Sequence, residues 1–545
     1  MPARLLDRLD AWKRRFEPAA VARLEKLLAQ IAGRRFRDSA ESIRLHETLL
    51  FLRAYPLTAA VARLADSILL NFAERTAPAD AYEEPEVSGI AGTSFCAVFS
   101  YEVARRLAAL YPRQIEIAWD RHDQADKLGP ALARFAPLLE EDWPVEAHVP
   151  FERWMAAARR RGASDLGWLL ERLAALPVSP RARAEIYDAL ELPLLWSLGR
   201  SPASRSRLRL PASKLFCHSG PLIARRDVSF AAELEAPPLP IRRLSRAEAR
   251  RILDLILVTS ATRYRELYGF SHPDPSAVFH AHAGRGVDVY FFGVPPAWRL
   301  PLRAYHAGMF FKNGVPAGYV ETLSLFDRAE IGFNLYYTFR EGETAWLYAR
   351  LLRLLHQVLG VNCFSVDPYQ IGHENAEAID SGAFWFYLKL GFRPVEPAIA
   401  ALTAREERRM ARAPGYRSSR RTLEKLAGGY ILFEGPAAEP GAWDAFRVRN
   451  LGLAAARVMS ERFAGDLDRF RRAAALHAAR HLGVESDSGL AQLLYLIPDL
   501  PRWPAADRAA AAAILAAKSG RSEARYLRLM QRHARLRAAL LRLSE

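Results

Sequence analysis

Apolar residues recur at three-and-four spacing through "VARLEKLLAQIAGRRF" and "IRLHETLLFLRAYPLTAAVARLADSILLNFAERT". This period predicts helices over most of residues 1–85. The Pro/Glu stretch "PADAYEEPEV" then breaks the pattern. Residues 86–235 are mixed and mostly helical: "QIEIAW" alternates like a strand, while "FERWMAAARRRG" and "RARAEIYDALELPLLWSLG" have helical spacing. The Ser/Pro/Arg-rich run "GRSPASRSRLRLPASK" reads as a connector near the end of that region.

From residue 236 the pattern changes. "LPIRRLS" is a short strand, and Ser245 with Glu248 forms a capping box for the helix that follows. "VDVYFFGV", "LRAYHAGMFFKNGVPAGYVETLSLF" and "AEIGFNLYYTF" alternate as strands, and Asn313-Gly314 marks a hairpin turn. "GETAWLYARLLRLLHQVLG" is a helix ending at Gly360, "VNCFSV" a buried strand, "HENAEAIDSGAFWFYLKLGF" a further helix and "GGYILFEG" a last strand. Residues 236–436 therefore read β-α-β-β-β-α-β-α-β. The expected fold class is mixed α/β, a sheet flanked by helices, with mainly helical regions before it and at 437–545.

Composition alters this picture little. Half of the 545 residues are hydrophobic, enough for a substantial core. The formal charge is +16, from 77 Lys and Arg against 61 Asp and Glu. The arginines are dispersed along the chain rather than grouped around aromatics, so tight nucleic-acid binding is not expected. Cys96, Cys217 and Cys363 make no CxxC pair, which points to a reduced, cytoplasmic protein. The amphipathic start "MPARLLDRLDAWKRRFE" lacks the apolar centre of a signal peptide, and Ala509–Ala517 is too short to span a bilayer, so no membrane association is expected.

Several histidine and charge patterns have plain structural readings. His477 and His481 stand four apart on a helix without a third ligand, and His280 and His282 share one strand face. The basic run 403–425 reads as a solvated helical insertion. "SGIAGTS" is a Gly-containing turn before a helix, and Phe384-Trp385-Phe386 reads as core. No metal site is expected.

Two motifs carry chemistry. One is Leu335-Tyr336-Tyr337-Thr-Phe-Arg340-Glu-Gly342-Glu343-Thr344-Ala345, a turn from strand into helix, where free backbone N–H groups favour an anion. The other is Asn375-Ala-Glu-Ala378-Ile379, followed after an insertion holding Ser381-Gly382 by Tyr387-Leu-Lys-Leu-Gly391-Phe392. In this order they resemble the GNAT superfamily of acyl-CoA-dependent N-acetyltransferases, whose patterns are V-x-P-x-x-R/Q-x-x-G-x-G/A and N-x-x-A-I…Y-x-x-x-G-F. The resemblance covers residues 236–436. Tyr337 stands where the family has proline, and Glu343 where it has the first glycine of the diphosphate loop.

The resemblance implies a GNAT-like sheet, splayed after Leu335, and an N-acyltransferase using acetyl-CoA or another acyl-CoA as co-substrate, with no metal. It implies that the run from Leu335 to Ala345 holds the diphosphate, that Asn375 binds the pantetheine arm, and that Tyr387 faces the thioester sulfur as proton donor. A carboxylate at Glu343 would stabilise a helix N-terminus, yet would repel a diphosphate by about 1–4 kcal/mol at about 4 Å. An attacking amine also needs a base. Glu330 is the leading candidate, with Glu321, Asp367, His373 and Glu374 behind it. The partners expected are acyl-CoA and an amine-bearing acceptor, with the helical flanks shaping the acceptor site or a homodimer. Two alternatives remain open: a non-catalytic binding or scaffold protein on the same fold, and a related transferase using aminoacyl-tRNA.

Overall fold

A computed structural model describes residues 2–36, 39–75, 89–139, 149–211, 214–263 and 266–545. The Pro/Glu break at 78–87 lies outside them. The chain is mixed α/β, with twenty-four α-helices, a three-stranded sheet and a nine-stranded sheet among the described residues.

The N-terminal region forms helices α1 (Pro2–Trp12), α2 (Pro18–Ala32), α3 (Ser39–Ala54) and α4 (Ala59–Leu70). Helix α3 is buried from Leu45 to Ala54, polar residues included. Such burial requires internal partners. Arg53 pairs with Asp66 at 2.8 Å. Glu47 accepts from Arg205 and from the Thr338 hydroxyl, and its neighbour His46 bridges Glu47 (3.0 Å) and Ser206 (2.9 Å). A small antiparallel sheet of β1 (Ser94–Val98), β2 (Ile115–Ile117) and β3 (Pro193–Ser197), with β3 central, gathers the next region around its own core.

The large sheet contains β4 (Ile241–Arg243), β5 (Val278–Gly284), β6 (Val287–Gly293), β7 (Ala304–Lys312), β8 (Val315–Leu325), β9 (Arg328–Leu335), β10 (Cys363–Val366), β11 (Arg393–Pro394) and β12 (Ile431–Glu434). Its order is β11-β12-β10-β9-β8-β7-β6-β5-β4. Every pairing is antiparallel except β9 with β10. Helix α5 (Arg246–Ala261) follows β4 and opens with the expected Ser245–Glu248 capping box. Helix α6 (Thr344–Leu359) makes the crossover that a parallel pair requires, and Gly360 ends it at φ 74°.

The β7–β8 hairpin is antiparallel, as the Asn313-Gly314 turn predicts. Both turn residues have positive φ (49° and 78°), the signature of a type I′ turn. The Asn313 side chain also donates to the carbonyls of Ala54 and Phe216 and accepts from the Phe216 N–H, which ties the hairpin tip to α3. The two-residue β11 has no periodicity to reveal it.

Alternation along β9 gives the large sheet two unlike faces. Ala329, Ile331, Phe333 and Leu335 join α1–α4, α6 and the C-terminal helices in one continuous core, which runs across the expected borders at 236 and 436. Arg328, Glu330, Gly332 and Asn334 alternate with them on the opposite face. There α5 packs against Phe292, Tyr305 and Met309.

The buried histidines carry a pH dependence. Burial pulls His46 down to about 4 and His306 to about 3. In the unfolded chain both take up a proton near pH 6.5. The unfolded state thus binds more protons over this interval, and stability falls as pH falls. The urea midpoint is expected to drop between pH 7 and pH 5, before most carboxylates titrate. A midpoint unchanged over that range would contradict neutral buried histidines.

Candidate functional site

The parallel strands β9 and β10 pair only at Arg328–Cys363, Ala329–Phe364 and Glu330–Ser365. From Ile331 onward β9 continues to Leu335 along β8, with no strand on its other side among the described residues. The opening therefore begins at Ile331, not after Leu335 as the motif suggested. The cause lies in β10. Asp367 follows it as an N-cap, its carboxylate accepting from the Tyr369 N–H at 2.9 Å, and Pro368 has no N–H for a ladder. The backbone turns away at Val366. Across the gap, a Cβ at Gly332 would lie 3.8 Å from Gln370 Nε2.

Glu330 stands at the apex of this opening, half-buried, 3.5 Å from Arg303. It lines a cavity of about 250 Å³ with Arg328, Leu323, Leu325, Tyr430 and Phe446. Glu321 lies on β8 opposite Gly332, its carboxylate accepting from the Tyr305 hydroxyl. Burial raises the Glu321 carboxyl above the usual range, against the lowering effect of that hydrogen bond. Of the other candidate bases, Asp367 is the cap just described, and His373 and Glu374 are exposed, with Glu374 at φ 54°.

The turn after β9 is positioned by the Tyr336 N–H, which donates to Ala317 O at 3.0 Å. Leu335, Tyr336 and Ala345 are buried in the core. Arg340 donates to Leu335 O at 3.3 Å and to Glu377 at 2.7 Å, and the Thr344 hydroxyl donates to Arg340 O. A Cβ at Gly342 would meet the Tyr55 hydroxyl at 2.5 Å, and Tyr55 hydrogen-bonds the Glu343 backbone. Glu341 pairs with Lys13 at 2.9 Å. The residues leading into α6 are thus contacted by Lys13, which follows α1, and by Tyr55, which follows α3. Tyr337 (41 % exposed), Arg340 and Thr344 remain accessible.

Glu343 corrects a sequence expectation. Its side chain is 1 % exposed and turns inward, with one oxygen 3.1 Å from Arg285 Nε, the other bonded to Arg285 Nη2, and Lys312 Nζ at 3.7 Å. The Ile223 N–H also donates to it, at 3.1 Å. Burial opposes its charge, but the Arg285 hydrogen bond and Lys312 outweigh burial and hold the carboxyl below its usual range. Burial in turn pulls Lys312 down to about 7. Arg285 of the β5–β6 turn, with Lys312 of β7 beside it, answers this carboxylate, so it is not a bare charge facing a diphosphate.

Asn375 caps the short helix α7 (Ala376–Asp380): its Oδ1 accepts from the Ala378 N–H at 3.1 Å and its Nδ2 donates to Tyr369 O at 3.0 Å. Gly382, at φ 69°, separates α7 from α8 (Ala383–Leu388), so the insertion splits the predicted helix in two. Tyr387, on α8, is 4 % exposed, edge-on to Tyr348 (5.6 Å) and Phe392 (5.3 Å). Burial raises its phenol well above the ordinary value and keeps it protonated. Tyr348 also packs at a tilt against Phe333, with ring centroids 4.7 Å apart, in the unzipped half of β9, which places Tyr387 behind the opening.

The other signals resolve locally. His280 and His282 both contact Asp288, at 2.7 and 3.2 Å. The 403–425 run lies in helices Pro397–Arg412 and Arg420–Leu426, whose linker is held by Glu406 through Tyr416 and Ser418. Among the described residues, no group of three or more His, Cys, Asp and Glu side chains could hold a metal ion, and no helix is long and apolar enough to cross a membrane.

Tyr55, Arg328, Gln370 and Tyr430 were not legible as site residues. None lies in either motif, and only tertiary packing brings them near it. Compared with known proteins, the chain matches no protein-family model, no curated protein and no solved structure.

Proposed function

We propose that the protein is an acyltransferase of the GNAT type, moving an acyl group from an acyl-CoA thioester to an amine. The observation that carries this reading is the parting of β9 from β10 at Glu330. Beyond it the backbone of β9 has no strand partner on that side among the described residues, and backbone N–H groups left without one can hold a developing oxyanion. The order of crossover helix, Asn-capped helix and inserted β12 supports the same reading.

The roles follow from position. Glu330, at the apex, takes the proton of the attacking ammonium, directly or through water. Transfer forms a C–N bond and breaks the C–S bond. Tyr387, kept protonated by burial, gives a proton to the departing sulfur. Thr344, Arg340 and Tyr337 line the accessible rim. The residues fit the thioester end of an acyl-CoA. They do not fit its diphosphate end, because Tyr55 covers the backbone at Gly342 and Glu343.

That cover favours a second reading, a non-catalytic binding protein on this fold. It also leaves room for a transferase whose donor has no diphosphate at this position, such as aminoacyl-tRNA. Thermal melting with acetyl-CoA separates them. At 100 times Kd, acetyl-CoA is expected to add about 2.7 kcal/mol of stability, and thiol release in the presence of an amine mixture should follow. An unchanged melting temperature up to millimolar acetyl-CoA would remove the acyl-CoA reading.

A further inference from the structure

The cavity beside Glu330 is lined by a cation that makes no close ion pair among the described residues. Arg328 is 9 % exposed. Its Nε reaches the Ser365 hydroxyl at 3.3 Å, and among the described residues it makes no ion pair. Buried charges are paired as a rule. Rings flank this guanidinium instead, with Tyr430 at 5.7 Å and Phe446 at 5.3 Å. Burial pulls its pKa below the ordinary arginine value, even with Glu330 nearby. The guanidinium lines the cavity and has fork geometry suited to a carboxylate.

Glu330 lies two residues further along the same strand face, about 6.6–6.8 Å away along the backbone. Its contact with Arg303, at 3.5 Å, is longer than a charge-assisted hydrogen bond of about 2.7–2.9 Å. The carboxylate therefore keeps acceptor capacity for a second cation. Arg447, also at the cavity, is occupied by the carbonyls of Asp444 and Phe446. Leu323, Leu325 and Phe446 supply an apolar wall. The volume of about 250 Å³ falls below the range of about 300–1,000 Å³ that suits drug-sized ligands.

We infer that this cavity binds a single small zwitterion, an aliphatic amino acid or a close analogue. Its carboxylate sits on Arg328, its ammonium on Glu330, and its side chain against Leu323 and Leu325. Resting on the transferase reading, this ligand is the acceptor, held with its amine at the apex of the strand opening. The binding claim itself needs no acyl donor.

Calorimetry on the full chain without any acyl donor tests it, with L-leucine, L-leucinamide and N-acetyl-L-leucine as probes. L-leucine is expected to bind about tenfold or more tighter than either analogue, because L-leucinamide brings no carboxylate to Arg328 and N-acetyl-L-leucine no ammonium to Glu330. Arg328→Met should abolish the preference for L-leucine over L-leucinamide while leaving L-leucinamide binding within about twofold. Equal binding of all three probes, or no binding of L-leucine, overturns the inference. If Arg328→Met does not fold, the comparison of probes on the unaltered chain still decides. Selective L-leucine binding without any acetyl-CoA binding would keep this site and remove the transferase reading. Turnover of acetyl-CoA with other amines, but no L-leucine binding, would remove this inference alone.

Discussion

Glutamine in place of Glu343 is expected to lower the unfolding free energy by about 3–5 kcal/mol, the usual cost of removing one partner of a buried ion pair. The side chain is almost the same size, so packing is kept and the change is electrical. Arg285, itself partly exposed, and the buried Lys312 would be left facing a neutral amide. The amide could still accept from the Ile223 N–H, but it could not answer the charge of Arg285. An exposed glutamate at a helix start would behave differently, with a loss of at most about 1 kcal/mol. Urea denaturation of the two proteins separates these cases. Acetyl-CoA affinity should not rise in the variant, since the carboxylate removed points beneath the turn rather than across it. A stable variant with tighter acetyl-CoA binding would place Glu343 at the ligand and refute its structural role.

The second large effect is on turnover. Glu330→Gln is expected to reduce acyl transfer by about 10²–10⁴-fold, the range for loss of a general base. Stability should change little, because Glu330 is half-buried and has one long ion pair, with Arg303. The comparison that matters is Glu321→Gln. Glu321 lies one strand away on the same sheet face, bonded to Tyr305, with its carboxyl raised by burial. Such a group would lose activity at a higher pH than an ordinary carboxylate. If Glu321→Gln removes turnover and Glu330→Gln leaves it intact, the base is Glu321 and the role assigned to Glu330 is wrong.

Some of this architecture is readable from short stretches. The Asn313-Gly314 turn, the Ser245–Glu248 box and the Gly360 stop are local devices, each completed within a few residues. The tight Asp367-Pro368 turn that ends β10 is equally local, yet its consequence is not. It opens the sheet at Ile331 only because β9 lies alongside and continues to Leu335. Asn375 was legible as a residue with a task, and its position at a helix start shows one: both ends of its amide serve the cap and the turn before it. Splitting of the following helix at Gly382 was marked by Ser381-Gly382 in the sequence, and the glycine's left-handed backbone is its physical basis.

Periodicity and caps determined the class of the chain, the hairpin and the crossover, because those signals depend on neighbours three or four positions away, while the place of the candidate site came from the resemblance of two motifs. Tertiary structure decided what the charges do. Glu343 meets Arg285 and Lys312 across 58 and 31 positions of chain, and Thr338 reaches Glu47 across 291. Arg328 and Glu330 acquire a shared cavity only when Tyr430, just before β12, and the start of the C-terminal region close over them. A charge is costly to bury wherever it lies in the sequence, and its counter-charge can come from any strand that folding brings alongside. Local patterns contain no record of that distant partner, so the sequence could present Glu343 as a liability while the fold made it part of a neutralised ionic cluster.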